Sequence, residues 1–161
     1  MKQYKQIQPE VIVGLGGDTK FLEKQPPFKN VLNLHVELDD WLGDDLIECH
    51  PCYIVTESLK IGLENSKFTG FEFADMEVTK SEYFDNNYHI DKDLPMFYWL
   101  KISGKKDIDD VFIGKEYTLF ASDRLINYLK ENFSVNYLDI EVERNEFDDL
   151  LDKMIAESKN R

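Results

Sequence analysis

One pattern occurs twice in this sequence, and it is the main evidence for the fold. Its first copy is Asp44-Asp45-Leu46-Ile47, then Tyr53-Ile54-Val55-Thr56-Glu57, then Phe73-Ala74-Asp75-Met76-Glu77-Val78. The second copy runs Asp109-Asp110-Val111-Phe112, Leu119-Phe120-Ala121-Ser122-Asp123 and Tyr137-Leu138-Asp139-Ile140-Glu141-Val142. Matched residues lie 65 apart at Asp45 and Asp110, 66 apart at Thr56 and Ser122, and 64 apart at Asp75 and Asp139. The spacing changes only where turns are expected. This is how a diverged duplication behaves, although two β-α-β units that are alike by chance would look similar.

Each copy predicts an Asp-Asp turn, an apolar strand, a helix and a closing strand. Thr56 and Ser122 are suited to cap the helices, because a hydroxyl oxygen accepts a hydrogen bond from a free N–H of the first turn. Glu57 and Asp123 follow them, where the helix dipole favours an anion. A further strand precedes each copy, at Leu32 to Val36 and at Met96 to Ile102. The sequence therefore predicts two β-β-α-β pseudo-repeats, at about 31–79 and 96–143.

The segments around the repeats complete the predicted architecture. Met96 to Ile102 is predicted to be a strand, and its aromatic run Phe97-Tyr98-Trp99 is typical of a central strand covered on both faces. The polar stretch from Lys80 to Asp93 is interpreted as a long connection between the halves. A C-terminal helix is predicted over about 145–157, with Asn145 as its cap. Its apolar stripe has helical spacing and consists of Phe147, Leu150, Leu151, Met154 and Ile155. We expect one α+β domain over 1–161: one mixed sheet, or two, with this helix packed on one side.

Composition limits the classes of function. The chain has 161 residues, 42% of them hydrophobic, which suits a single globular domain. Nineteen Lys and Arg residues face 32 Asp and Glu residues, so the formal net charge is −13. Such a charge repels nucleic acids and anionic membranes and attracts basic proteins. The N-terminus has no apolar signal segment, and two cysteines make no disulfide framework. We therefore expect a soluble cytoplasmic protein.

Three motifs that resemble catalytic or binding signatures are better explained as turns and caps. Gly14-Leu15-Gly16-Gly17 lacks the Gly-Lys-Ser/Thr of a phosphate-binding loop and predicts a turn. Cys49-His50-Pro51-Cys52 precedes a strand, so no helix dipole activates a thiol, and a zinc site would need two more ligands. His35 and His89 belong to no ligand-spaced motif. Ser122 lies at a strand–helix junction without the flanking glycines of a nucleophile elbow.

Two aspartate clusters are the candidate site. Asp39, Asp40, Asp44 and Asp45 flank Trp41, and the second cluster consists of Asp107, Asp109 and Asp110. Carboxylates at this density cap turns, hold Mg²⁺ or Ca²⁺, or form the charged rim of a protein interface. Trp41 among four acids suits an interface anchor. No EF-hand spacing is present, so these eight residues are predicted to bind a protein partner, with no metal, no cofactor and no catalytic residue.

The order of several short motifs is similar to that of small bacterial immunity-type proteins, which are found beside secreted polymorphic toxins. These motifs are Asp-Asp-Trp-Leu-Gly-Asp-Asp-Leu (39–46), Tyr-Ile-Val-Thr-Glu (53–57), Thr-Gly-Phe-Glu-Phe (69–73), Leu-Pro-Met-Phe-Tyr-Trp-Leu (94–100) and Asp-Asp-Val-Phe-Ile (109–113). The resemblance implies a cytoplasmic, non-catalytic protein that binds and blocks a cognate toxin. It carries over no catalytic residue, and the interface of such families varies with the toxin.

Composition and resemblance together favour an acidic immunity or inhibitor protein whose partner is a basic toxin domain. Two alternatives remain open. One is a metal-binding or enzymatic domain that uses the aspartate clusters, and the other is a structural domain that forms oligomers through its sheet edges. The sequence does not determine the oligomeric state.

Overall fold

The computed structural model describes residues 3–87, 94–141 and 146–159. Strands and helices both occur throughout these residues, which confirms the α+β class. The strands are β1 (Tyr4–Gln8), β2 (Val13–Leu15), β3 (Lys20–Phe21), β4 (Val31–Asn33), β5 (His35–Leu38), β6 (Leu46–Cys49), β7 (Cys52–Thr56), β8 (Phe71–Ala74), β9 (Glu77–Lys80), β10 (Phe97–Ile102), β11 (Val111–Ile113), β12 (Leu119–Ser122) and β13 (Asp139–Ile140). The helices are α1 (Glu57–Glu64), α2 (Glu82–Asn87), α3 (Asp123–Asn132) and α4 (Glu146–Lys159).

Two four-stranded antiparallel sheets have the same strand arrangement. The first has the order β6-β7-β10-β8, and the second has the order β11-β12-β1-β13. In each sheet a hairpin is followed in the chain by a helix and then by the strand at the far edge. A strand from elsewhere in the chain fills the gap between hairpin and edge.

The inserted strands are exchanged between the halves. β10 precedes the second hairpin in the chain but pairs in the first sheet, whereas β1 precedes the first hairpin and pairs in the second sheet. Their registers match, since Phe97 lies opposite Thr56 and Tyr4 lies opposite Ser122. β1 is absent from the sequence prediction, because Tyr4–Gln8 carries mostly polar residues.

The main hydrophobic core is built from matched positions of the two halves. It contains six pairs of equivalent positions, one residue from each half, together with Ile126. The pairs are Ile7 and Leu100, Leu46 and Val111, Tyr53 and Leu119, Val55 and Ala121, Leu59 and Leu125, and Leu63 and Leu129. Leu59, Leu63, Leu125, Ile126 and Leu129 belong to α1 and α3, so both helices bury their apolar face in this shared core. Each half therefore supplies the other with the apolar surface that it needs for folding.

The first sheet is covered on its other face by a third sheet. This sheet has the order β2-β5-β9, with β5 and β9 parallel. Trp41, Ile54, Phe97 and Trp99 lie in the second hydrophobic cluster with residues of β5. The prediction that the aromatic strand is central and covered on both faces is confirmed. The closing strand predicted in the first pseudo-repeat is instead broken into β8 and β9, which lie in different sheets.

The segments between and after the repeats also differ from prediction in detail. The stretch predicted as a polar connection contains the last residue of β9 and the helix α2. The C-terminal helix is confirmed, although the predicted cap Asn145 lies outside the described residues. The side chains of Leu150, Leu151, Met154 and Ile155 on α4 remain 45–58% exposed. Within the described part of the chain, no helix is long and apolar enough to span a membrane.

Candidate functional site

Asp45 belongs to a hydrogen-bond network that joins the two halves. Its backbone N–H donates to the carbonyl of Ser134 at 2.7 Å, and its Oδ2 accepts from the Ser134 N–H at 2.8 Å. Its Oδ1 accepts from the hydroxyl of Thr56 at 2.6 Å. The same hydroxyl accepts from the N–H of Leu59, which confirms Thr56 as the N-cap of α1. Asp45 thus ties the start of α1 to the segment after α3.

Asp110 occupies the equivalent place in the other half. Its backbone N–H donates to the carbonyl of Thr69, and its Oδ2 accepts from the Thr69 N–H, each at 3.0 Å. Its Oδ1 accepts from the Ser122 hydroxyl at 2.9 Å. Ser122 in turn caps α3. Asp110 is fully buried, and Arg124 donates from Nε and Nη2 to its two carboxylate oxygens at 2.9 and 3.1 Å. This hydrogen bonding raises the pKa of the Arg124 guanidinium.

Trp41 and Asp44 are also committed to the fold. The indole N–H of Trp41 donates to the backbone carbonyl of Asp44 at 2.9 Å, and the two side chains are 8% and 1% exposed. The Asp44 carboxylate accepts from the backbone N–H groups of Asn136 and Tyr137, both at 2.9 Å. Trp41 cannot anchor an interface from this buried position. Asp44 and Asp110 are likewise withdrawn from the protein surface, so these three predicted contact residues have structural roles.

The remaining predicted site residues lie in two separate places. Asp39 is exposed and Asp40 half-buried beside the Asp45 network, whereas Asp107 is exposed and Asp109 half-buried beside the Asp110 network. Asp109 accepts the N–H of Lys105 at 2.7 Å and so caps its own turn. Each network lies at the start of one helix and after the end of the other. The two aspartate clusters are therefore separated by roughly the 12–15 Å length of α1 or α3.

A glutamate that sequence reasoning missed completes the first cluster. Glu10 precedes β2, and its backbone carbonyl accepts the N–H of Glu48, which brings it beside the 39–45 turn. Burial, together with repulsion from Asp44 and Asp40, raises the pKa of Glu10 to about 7. Its Oε2 is enclosed without a hydrogen-bond partner, and among the described residues the three carboxylates form no ion pair. We call Glu10, Asp40 and Asp44 the acidic cluster. No sequence motif links Glu10 to it.

Cys49 and Cys52 lie on either side of the tight turn between β6 and β7. Both are buried, and they form no disulfide. Burial raises the pKa of both thiols to about 12, so they remain protonated at neutral pH. Protonated, enclosed thiols are poor nucleophiles. The turn interpretation of this motif therefore agrees with its surroundings.

A cleft beside this turn is basic. This cleft of about 360 Å³ is lined by Lys29, Asn30, Val31, Pro51, Cys52, Tyr53, Trp99, Leu100, Lys101, Ile102, Ile113 and Tyr117. No carboxylate lines it, although the chain is strongly acidic. Lys101 lies over the Trp99 ring with Nζ 4.9 Å from the ring centroid. A neighbouring cleft of about 650 Å³ shares Trp99 and Lys101 and contains Asp18, Asp75 and Glu77.

Of the residues that the structure describes, Asp18, His35 and Glu77 form the one group with the donors and spacing of a metal site. One possible ligand atom from each residue lies within 4.8 Å of the other two. His35 is on β5 and faces Glu77 across the parallel pairing with β9, while Asp18 is in the turn after β2. The aspartates predicted as a possible metal site are not part of this group. Sequence reasoning missed it because its members are spread over 60 residues.

Comparisons with known proteins add no family assignment. No family model, no curated protein and no solved structure matches this chain.

Proposed function

We propose that the protein is a non-catalytic immunity-type inhibitor that binds a basic toxin domain through the surface around the acidic cluster. The observation that carries this proposal is the exposed Asp39 and the half-buried Asp40, which lie beside Glu10 on a turn that the buried Asp44 holds in place. Among the described residues, no cation pairs with these carboxylates. The resemblance of the sequence to immunity-type proteins supports a toxin as the partner. The net charge of −13 supports a basic one.

Electrostatics gives the acidic cluster its affinity for a cation. Burial, and then repulsion from Asp44 and Asp40, raises the pKa of Glu10, so a further negative charge is unfavourable at this place. A guanidinium or ammonium group from a partner, placed against Asp39 and Asp40, would relieve this repulsion. Arg suits this role because its planar fork donates to two oxygens at once. Binding would then lower the pKa of Glu10 and release a proton near neutral pH.

The surface beside the cluster gives a basic partner access. Asp39 is exposed and directly precedes Asp40, so two adjacent carboxylates flank the enclosed part of the cluster. The buried Trp41 and Asp44 hold the turn through the Trp41 N–H and two backbone donors. A turn fixed in this way presents its charges without an ordering cost on binding. Charges at such a rim act mainly on the rate of encounter.

The first test is to identify the partner with tagged protein as bait in its native host, at low and then moderate salt, with mass spectrometry as the readout. We expect one basic protein that is lost as salt rises, because surface electrostatics is screened. The partner should then be purified and its activity measured with and without this chain. Retention of a neutral or acidic partner, or of none at either salt, would contradict the proposal.

The decisive variant is the double substitution Asp39→Asn with Asp40→Asn. We expect it to lower the association rate constant at low salt by roughly three- to tenfold, with a smaller effect on dissociation. The matched control is Glu131→Gln with Asp139→Asn, which removes the same charge from exposed residues of α3 and β13. Equal slowing by both pairs would show that net charge, and not this surface, steers the partner.

A further inference from the structure

We infer that Asp18, His35 and Glu77 form a binding site for Zn²⁺. The three residues come from the turn after β2, from β5 and from β9, and one donor atom of each lies within 4.8 Å of the others. One imidazole and two carboxylates suit Zn²⁺, which takes three protein ligands in sites that keep a fourth position open. Mg²⁺ and Ca²⁺ prefer all-oxygen sites with more ligands.

The hydrogen bonds of His35 orient its ring for ligation. Nδ1 accepts the backbone N–H of Asp18 at 3.1 Å, so this nitrogen carries no proton. The proton therefore lies on Nε2, which donates to the hydroxyl of Thr79 at 2.7 Å. A metal-binding histidine commonly donates its other N–H to a fixed acceptor in this way, which holds the tautomer and the ring orientation. Thr79 serves as that acceptor.

Gly16 makes room for the ring. A Cβ at this position would lie 2.1 Å from Nδ1 of His35, so no side chain is compatible with the ring position. The backbone N–H of Gly16 also donates to the His35 carbonyl at 2.8 Å, and the Thr19 hydroxyl donates to the same carbonyl at 2.8 Å. These contacts account for the glycine at position 16, and the turn that follows brings the backbone N–H of Asp18 to Nδ1 of His35.

Closing the site requires a small movement of exposed groups. The Oδ2 atom of Asp18 lies 4.0 Å from Nδ1 of His35, and donors around tetrahedral Zn²⁺ are about 3.4 Å apart. The Asp18 side chain is 72% exposed and Glu77 is exposed, so both carboxylates can rotate inward at little cost. The metal takes the Nδ1 lone pair in place of the Asp18 N–H, which lies in an exposed turn and can turn to water. Two carboxylates also balance the charge of the ion.

The site opens onto the neighbouring cleft of about 650 Å³, since Asp18 and Glu77 line that cleft. The fourth position of the ion would therefore face solvent and hold water. This geometry distinguishes the site from a closed structural zinc site, whose four ligands all come from the protein.

Metal-dependent stabilisation of the full chain tests the inference. After removal of metal with a chelator, the melting temperature is measured in a titration with ZnCl₂, and with MgCl₂ and CaCl₂ as controls. Zn²⁺ at about 100 times its Kd should raise the melting temperature by about 5 °C or more. Magnesium and calcium at the same concentrations should not. No rise with Zn²⁺ would overturn the site.

Ligand variants locate the bound ion. Asp18→Asn and Glu77→Gln change exposed side chains, so they should fold, and each should weaken Zn²⁺ binding at least tenfold in calorimetry. Asp75→Asn and Glu72→Gln are the matched controls, because they remove exposed carboxylates of the same region. Wild-type affinity in the Asp18 and Glu77 variants would overturn the assignment. His35 is buried, so its substitution would confound binding with folding.

The Cys49-His50-Pro51-Cys52 turn is the rival zinc-binding segment. Co²⁺ substituted for Zn²⁺ distinguishes the two, because a thiolate ligand produces an intense near-ultraviolet charge-transfer band that nitrogen and oxygen ligands lack. We expect no such band, in agreement with the buried, protonated state of both thiols. A thiolate band that persists in Asp18→Asn would move the zinc to the cysteines and overturn the inference.

Discussion

Asp45 and Asp110 hold equivalent places in the two halves of the molecule, but their surroundings differ. Both carboxylates accept a hydrogen bond from the hydroxyl of a helix cap and another from a backbone N–H in the segment after the other helix. The backbone N–H of each aspartate donates to a carbonyl in that same segment. Asp110 is fully buried and paired with Arg124. Asp45 is half-buried, and among the described residues no cation pairs with it. The two networks therefore share the same pattern of hydrogen bonds, but the Asp45 carboxylate is more exposed to water than that of Asp110.

The difference shows how one arrangement of hydrogen bonds can have two energies. A buried carboxylate that loses its donors has no water to replace them, whereas a half-buried one does. Beside Asp45, the neighbouring Asp44 supplies a second buried carboxylate with two backbone donors. The equivalent residue Asp109 only caps its own turn. Asp44 thus adds to the first half two hydrogen bonds from backbone N–H groups, beyond those that Asp45 shares with Asp110.

The largest effect is expected from Asp110→Ala compared with Asp45→Ala. We expect Asp110→Ala to lower the free energy of unfolding by about 3–5 kcal/mol, because it removes a fully buried carboxylate and leaves the donors of Ser122 and Thr69 without an acceptor. Asp45→Ala should cost about 2 kcal/mol, since water can reach its donors. Urea denaturation measures both. Asp139→Ala, an exposed control, should change stability by less than about 0.5 kcal/mol. Equal losses at Asp45 and Asp110 would show that burial and Arg124 add nothing.

Substitution of the two helix caps, Thr56 and Ser122, should give smaller losses of stability that also differ between the halves. Thr56→Ala should cost about 1 kcal/mol, the usual value of a lost N-cap. Ser122→Ala should cost about 2 kcal/mol, because it also leaves an oxygen of the fully buried Asp110 without that donor. Double-mutant cycles with Asp45→Ala and Asp110→Ala measure the coupling of each pair. Thr56→Ser keeps the hydroxyl and serves as the control. Stronger coupling between Thr56 and Asp45 than between Ser122 and Asp110 would contradict the larger cost expected for Ser122→Ala.

The smallest effect is expected at Glu10, beside the Asp45 network. Its folded pKa of about 7 exceeds the ordinary value of 4.5, so its contribution to stability is fully present below pH 4.5 and is lost as pH rises through 7. Glu10→Gln should therefore be more stable than the wild type at pH 8, by on the order of 1 kcal/mol after allowance for solvent screening. The gain should vanish near pH 5.

Melting temperatures of both proteins at pH 5, 6, 7 and 8 test this prediction. Asp40→Asn is an informative companion, because it removes one of the two charges that raise the pKa of Glu10. In that background the gain from Glu10→Gln should shrink. A gain from Glu10→Gln that is independent of pH would show that repulsion within the acidic cluster is not its cause.

Elements that depend on neighbours along the chain were predictable from the sequence. Thr56 and Ser122 cap their helices because the groups that they bond lie three residues away. The central strand Phe97–Ile102 and the helix α4 follow from local apolar patterns. The recurrence of the Asp-Asp turn, the hydroxyl cap and the helix indicated two matching units. A common ancestor for the two halves remains a prediction.

Contacts between residues far apart in the chain were not predictable from the sequence and became visible in the folded structure. The exchange of β1 and β10 cannot be inferred from local patterns, because strand pairing depends on surfaces far apart in the chain, and Tyr4–Gln8 has little apolar character. The same limit applies to the candidate sites. Charged residues in a turn look exposed in sequence, yet Asp44 and Asp110 are buried because backbone donors from the other half satisfy them. Glu10 joins Asp40, and Asp18 joins His35 and Glu77, through folding alone.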